Sequence, residues 1–312
     1  MTISDSTEVF GGKPVRAYDP AEGLTDAGST APRIHIDYDR HEDGQSAVDD
    51  LRQLAAHPDA HLVTALVVGD IGGTGEGNDF GPLVAALVEV KGALSGLTDL
   101  FIGDMIYEDC EISWINQTDV SPLYAAFPDL RQLRLRGGNG LSLGALEHAR
   151  LETLIVETGG LDVQILRQVA QADLPELTHL ELWLGDDGYG WNGAPSDVQA
   201  MLTSLRCPKL RYLGLRDSMI ADEVAQVLAT APWPKGLRVL DLSLGTLGDV
   251  GIQALVDSGR LGGLEKLDIH HHYASPEAVA RLGGLGIEVD ASDVKAPDRW
   301  DDRDHRYVAV SE

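Results

Sequence analysis

The chain is short of cysteine, of aromatic residues and of basic charge, and it has no long apolar run. Each shortage removes a class of protein. Only Cys110 and Cys207 occur in 312 residues, so no disulfide framework is available and a cytoplasmic setting is expected. The longest apolar stretches, such as Leu62–Val68 and Leu83–Val90, fall far short of the roughly 20 residues needed to span a bilayer. The opening MTISDSTEVF lacks a basic region followed by an apolar one, so no secretory signal is expected. Lys and Arg number 24 against 50 Asp and Glu, giving a formal charge of −26. That balance argues against nucleic acid, where affinity rests on neutralising phosphates, and against anionic membrane surfaces. Hydrophobic residues at 43% are ample for a core, which excludes wholesale disorder.

What the chain has instead is a repeat. One phrase recurs: apolar, two residues, apolar, one residue, apolar. It starts at Val63, Leu97, Leu130, Leu151, Leu177, Leu210, Leu237 and Leu264, at spacings of 34, 33, 21, 26, 33, 27 and 27. A weaker ninth copy, GLGIEV from Gly284, closes the array. Alternation at period two predicts a short strand in each copy. Helical patterns follow several of them, at Asp222–Ala229, Asp249–Ser258 and Ser196–Leu205. Acids near those starts are placed to cap free amides, and Ser275 precedes Pro276 in the same way.

A strand–loop–helix unit of this size cannot bury its own apolar face, so stacked copies are required. The phrase resembles the leucine-rich-repeat family, and the 27-residue copies resemble its helix-backed, ribonuclease-inhibitor-like class. The resemblance implies an α/β leucine-rich-repeat solenoid, curved, with parallel strands inside and helices outside. It departs from the family in one place. Where Asn often bonds neighbouring loops, this chain has Ile71, Met105, Gly138, Gly159, Gly185, Ser218, Gly245 and His272, so no amide ladder is expected there. The N-terminal phrase, LWLGDDGYG (Leu182–Gly190) and the RYVAVSE ending also resemble uncharacterised bacterial leucine-rich-repeat proteins encoded beside radical-SAM and ATP-grasp-type enzymes. That resemblance implies an accessory or scaffold role.

The expected organisation is an N-terminal cap over residues 1–60, a repeat array over 61–290 and a tail over 291–312. Arg33–Asp39 reads as a strand of the cap. Ser46–Pro58 reads as its helix, with Ser46 as cap residue and Asp49 completing a capping box. Val9–Pro20 adds a strand to the cap. Residues 291–304 read as irregular, and Arg306–Val310 as a final strand.

Strand side chains alternate, so residues between the buried Leu positions point to the open face. One row reads Val67, Phe101, Arg134, Ile155, Glu181, Gly214, Asp241, Asp268 and Glu288. The next reads Gly69, Gly103, Arg136, Glu157, Trp183, Arg216, Ser243, His270 and Asp290. A third holds Asp99, Gln132, Thr153, His179, Tyr212, Val239 and Lys266. Trp, Tyr and Arg are enriched at interaction hot spots. An exposed Trp183 beside Tyr212, flanked by arginines, is therefore the expected anchor. Long inserts follow several strands, and their aromatics (Tyr107, Trp114, Tyr189, Trp191 and Tyr273) either anchor a partner or fold back over apolar surface.

The expected function is a non-enzymatic interaction module or scaffold for a protein or peptide, with acidity favouring a basic partner. The residues expected to carry it are Phe101, Arg134, Arg136, Glu157, Glu181, Trp183, Tyr189, Trp191, Tyr212, Arg216, Asp241, Asp268 and His270. No GxSxG elbow, HExxH helix, Walker loop or CxxC pair occurs, so neither catalytic residues nor a cofactor are assigned. The GxGxG of Gly73, Gly75 and Gly77 has the wrong spacing for a dinucleotide loop. Cys110 lies among acids that disfavour a thiolate. The alternative is a metal-dependent or accessory component with its site near His270–His272 and the acids around them. Consecutive strand residues point to opposite sides, so three adjacent His rarely ligate together, and single His ligands from separate repeats would be needed.

Overall fold

The structure is a computed structural model that describes residues 3–312, so the first two residues of the expected cap lie outside the described residues. The chain forms two compact units, residues 3–157 and Thr158–Ser311. In the first, β1 (Val9–Phe10) and β2 (Lys13–Ala17) make an antiparallel hairpin. From β2 onward the pairing is parallel, through β3 (Ala31–Ile36), β4 (Ala65–Ile71), β5 (Asp99–Ile102), β6 (Gln132–Arg136) and β7 (Thr153–Glu157). Helices α1 (Tyr38–Glu42), α2 (Ala47–Ala56), α3 (Gly81–Val90) and α4 (Pro122–Ala126) lie between the strands in sequence, and α2, α3 and α4 pack successively.

The second unit begins with α5 (Val163–Gln171). Its parallel strands are β8 (His179–Gly185), β9 (Tyr212–Ser218), β10 (Val239–Asp241), β11 (Lys266–Asp268) and β12 (Glu288–Asp290). The intervening helices are α6 (Pro195–Ser204), α7 (Ala221–Thr230), α8 (Asp249–Asp257) and α9 (Pro276–Leu282), each against the next. A separate hairpin, β13 (Asp298–Trp300) with β14 (Arg303–His305), follows. In each unit the second and third apolar positions of the phrase are buried between strands and helices, as with Leu100 and Ile102, or Leu213 and Leu215. Full burial of one such side chain is worth about 1.5–3 kcal/mol. This is the α/β leucine-rich-repeat architecture.

The caps follow local chemistry, with one surprise. Ser46 accepts the Asp49 amide (3.2 Å), and Ser275 accepts the Ala278 amide (3.2 Å), each capping its own helix. Asp222 does not cap α7. Its Oδ1 accepts the Gly248 and Gly251 amides (2.8 and 2.9 Å), at the start of α8. Asp249 in turn accepts the Ser275 amide, ahead of α9 (2.6 Å). Each acid therefore ties its repeat to the next.

The missing Asn ladder is replaced piecemeal. Gln117 donates its amide to the Arg136 carbonyl (2.7 Å), Thr158 its hydroxyl to the Trp183 carbonyl (3.0 Å), and Thr246 its hydroxyl to the Met219 carbonyl (2.8 Å). The Gln117 bond is an amide rung where none was expected, supplied from a long insert rather than from the repeat.

Three expectations for the C-terminal region need correction. Residues 298–305 form the β13–β14 hairpin rather than irregular chain. Arg306–Val310 is not a strand; it has no regular secondary structure, yet its Val308, Ala309 and Val310 are buried. In β12 the register is two residues from that expected: Glu288 faces Lys266 and Asp290 faces Asp268.

Candidate functional site

The rows of the open strand face are otherwise as the alternation dictates. In the first unit Val67 pairs with Phe101, Phe101 with Arg134, Arg134 with Ile155 and Arg136 with Glu157. The apolar start of this face is not free. Phe10, on the N-terminal hairpin, packs with Val67 and Phe101, its ring 5.9 Å from that of Phe101. Arg134 and Arg136 cover the same ring at 4.4 and 5.2 Å. Phe101 is fully buried, so it is a core residue and not a contact residue.

The arginines are likewise engaged. Glu157 receives Arg134 Nε (2.7 Å) on one oxygen and Arg136 Nε (2.8 Å) on the other. Arg136 also donates to the Met105 carbonyl (2.7 Å) and pairs with buried Asp104 (3.6 Å). Asp104 accepts the Thr7 hydroxyl (3.0 Å) and lies 3.4 Å from Arg33. Arg136, Glu157 and Asp104 are buried, while Arg134, Arg33 and Thr7 keep partial exposure. These residues close a buried charge network that positions the strands.

The second unit repeats the theme around Glu181. Its Oε1 accepts Trp183 Nε1 and Arg216 Nη1, both at 2.7 Å, while Oε2 lies 3.3 Å from both His179 Nε2 and the Tyr212 hydroxyl. Tyr212 donates to Asp241 (2.5 Å), and Arg216 reaches Ser243 (2.9 Å) and Asp241 (3.3 Å). Burial alone would raise the Glu181 carboxyl. The His179 hydrogen bond, the Arg216 charge and the Trp183 bond outweigh it and hold the group at about 2. Burial, then the Glu181 and Asp241 charges, push the Tyr212 hydroxyl far above its ordinary value, so it donates and does not ionise. Trp183 is 8% exposed, which corrects the expectation of an exposed anchor: its indole is drawn in by Glu181. Arg216 lies 5.2 Å over its ring. What remains partly open is the His179–Tyr212 stack, with centroids 3.8 Å apart.

At the end of this face, Asp241, Asp268 and Asp290 stand in register on β10, β11 and β12. Asp268 meets His270 Nδ1 (2.7 Å) and Lys266 Nζ (3.1 Å), which outweigh its burial and keep it near 2. Asp290 is held by the Ser292 hydroxyl (2.7 Å) and amide (3.0 Å). Glu288 is highly exposed and lies 3.7 Å from Lys266. One ligand atom from each of Asp268, His270 and Asp290 falls within 4.8 Å of the others. His271 and His272 lie past the end of β11 and turn to the Gly245 carbonyl (3.3 Å) and the Ala291 carbonyl (3.1 Å).

The inserts divide in the same way. Trp191 is buried, and its neighbour Asn192 accepts the Val163 amide (2.7 Å) at the start of α5, so this loop folds back. Tyr189 and Tyr273 are partly exposed, and Trp114 and Tyr107 are exposed. The glycine loop after β4 directs its amides inward: Gly72 and Thr74 donate to Asp70 Oδ1 at 3.0 and 3.4 Å. Both thiols are buried and unbridged, with burial pushing Cys110 up to about 11 and Cys207 to about 12.

No family model and no curated protein matches the chain. Among solved structures it is similar to a protein from Bacteroides fragilis, with 28% identity and a TM-score of 0.79, covering 86% of this chain and 76% of that one. An internalin from Listeria monocytogenes matches at 14% identity and a TM-score of 0.32, over 79% of this chain and 70% of that one. No helix among the described residues is long and apolar enough to cross a membrane.

Proposed function

We propose that the open strand face is a non-enzymatic docking surface for a protein or peptide, and that its acidic end takes a basic segment. The observation that carries the reading is the in-register ladder Asp241–Asp268–Asp290, with Glu288 beside it. Like charges on adjacent strands repel. The permanent cations paired with this group are Arg216, which is shared with Glu181, and Lys266. A Lys or Arg from a partner therefore relieves repulsion that the chain itself leaves in place, and the flat His179–Tyr212 stack offers adjoining contact area. Two unbridged thiols fit a cytoplasmic setting. The resemblance to bacterial leucine-rich-repeat proteins encoded beside radical-SAM and ATP-grasp-type enzymes fits a scaffold or accessory role.

The test is affinity capture and mass spectrometry with the wild type and with a Glu288→Lys/Asp290→Lys variant. A protein recovered by the wild type, lost by the variant and weakened by salt supports the reading. Equal recovery by both overturns it.

A second reading is favoured by the Asp268–His270–Asp290 geometry alone. Imidazole with two carboxylates suits a divalent ion such as zinc, although Lys266 competes for Asp268. Stoichiometric zinc that survives dialysis and is lost in both Asp268→Asn and His270→Ala supports it; metal-free wild type after zinc loading and dialysis removes it.

A further inference from the structure

Residues 306–310 are held by backbone and side-chain hydrogen bonds at the ends of three strands of the second unit. The Ala309 amide donates to the Leu244 carbonyl (2.7 Å), after β10, and the Val310 amide to Asp217 Oδ1 (2.9 Å), on β9. Upstream, the Tyr307 amide donates to the Tyr273 hydroxyl (2.9 Å), which donates to the Tyr307 carbonyl (3.0 Å), after β11. Arg306 reaches the Thr246 carbonyl (3.1 Å) and Asp222 (3.2 Å). Val308, Ala309 and Val310 are buried by this crossing, whereas the β13–β14 hairpin leading to it is exposed and pairs only with itself.

Asp217 is the odd member of this clasp. It is completely buried and sits at φ 52°, a left-handed conformation that Asp tolerates better than most side chains. Oδ1 takes the Val310 amide, and Oδ2 meets no hydrogen-bond partner among the described residues. The ionisable groups on the surrounding elements are otherwise committed. On β8–β10 they are His179, Glu181, Tyr212, Arg216 and Asp241, bonded to one another; Asp222 on α7 holds Arg306 of the tail; His271, after β11, is turned to Gly245. A negative charge on Asp217 would be buried, with the adjacent Arg216 already committed to Glu181 and Asp241, an unfavourable setting for a carboxylate.

We propose that residues 306–310 form a proton-dependent strap, closed over the ends of β9–β11 on a neutral Asp217 and loosened when that carboxyl ionises. Burial drives Asp217 well above the ordinary carboxylate range, and the Val310 amide, the Arg216 charge and the Ala309 amide offset it only in part. In the open strap the same carboxyl meets water and returns to about 3.9. The closed form thus holds a proton that the open form gives up. Closure is strongest below the open-state value. It weakens by roughly tenfold per pH unit as pH rises toward the closed-state value, and is flat above it. The anchor follows Arg216 directly, and its amide donates to the Ser243 carbonyl (2.8 Å), so the strap and the open face share β9 and β10.

Hydrogen exchange of the 306–312 segment, corrected for intrinsic rate, tests this between pH 4.5 and 8.5 in the full chain. Protection should fall with rising pH in the wild type, by roughly tenfold per unit within the window. It should stay high and flat in Asp217→Asn, which is neutral at every pH. Val310→Pro, which lacks the donor, should open the segment at all pH values while the strands stay protected. Carboxyl carbon NMR of Asp217 decides the matter even if the Asn variant fails to fold. A midpoint well above the ordinary carboxylate value supports the strap. A midpoint near 4, or a wild-type profile as flat as that of the Asn variant, overturns it.

Discussion

Trp183 Nε1 and Arg216 Nη1 both donate to the same carboxylate oxygen of Glu181, each at 2.7 Å. The largest aromatic on the open face is thereby spent in orienting a buried charge, and the arginine stacked on its ring neutralises that charge. Removing one member of a buried pair leaves the other uncompensated. Glu181→Ala is expected to destabilise the fold by about 3–5 kcal/mol in urea titrations. Glu176→Ala, which breaks only the exposed pair with Lys209, should cost less than about 1 kcal/mol. Similar costs for the two would mean that the Glu181 network does not hold the unit together.

The same carboxylate sets an acid limit. Its folded-state value is depressed to about 2, so its contribution is fully present above the unfolded value and is lost as pH falls through 4 toward 2. The size is about 3 kcal/mol from one such group. Unfolding free energies at pH 6, 4 and 3 should drop more steeply in the wild type than in Glu181→Gln. Parallel curves would remove Glu181 from the acid response.

In the first unit the contrast lies between two neighbouring arginines on one strand. Arg136 is buried between Glu157 and Asp104, while Arg134 reaches Glu157 from the partly open edge. Arg136→Ala removes a buried guanidinium shared by two buried carboxylates, leaving Glu157 only the part-exposed Arg134 and Asp104 only the part-exposed Arg33, and is expected to cost about 3 kcal/mol. Arg134→Ala leaves Glu157 its second partner and should cost about 1 kcal/mol or less. Thermal melts of the two variants rank them directly, and a reversed order would show that the network is organised from the open edge.

The sequence made the fold legible because period-two alternation and stacking are local and repetitive. Leu100, Leu133 and Leu154 fall into register for the reason their spacing suggests. The open face was legible as a set of positions but not as a surface. Alternation places Phe101 and Trp183 on that face. It does not reveal that Phe10 folds over one, or that Glu181, two residues earlier on the same strand, captures the other. The β12 register missed by two residues because GLGIEV holds too few apolar positions to fix its phase. Asp222 and Asp249 look like self-caps in sequence, yet stacking brings the next repeat's amides closer. Long-range partners of single polar residues carry no periodic signal, and most of the candidate site consists of them.

Glycine positions separate backbone need from motif appearance. Gly185 sits at φ +74°, and a Cβ there would land on the Gly159 carbonyl. Gly185→Ala combines a left-handed penalty with a clash against backbone and is expected to cost more than about 2 kcal/mol. Gly75, the middle of the GxGxG, has ordinary φ and open space around it, so Gly75→Ala should change stability by less than about 0.5 kcal/mol. Urea midpoints of the two variants check the contrast; a large loss at Gly75 would mean that the loop needs its glycine for a reason the geometry does not contain.

The two thiols should be inert while the fold is intact. Cys110, raised to about 11 chiefly by burial and then by Asp70, is on the order of one part in a thousand thiolate at pH 8. Cys207, at about 12, is lower still. An unfolded thiol near 8.5 is roughly a quarter ionised at that pH. Alkylation by iodoacetamide at pH 8 should therefore be at least about a hundredfold slower in buffer than in denaturing urea, with both sites reacting together once the chain unfolds. Rapid single-site labelling of native protein would instead show that the acidic loop around Cys110 opens without global unfolding.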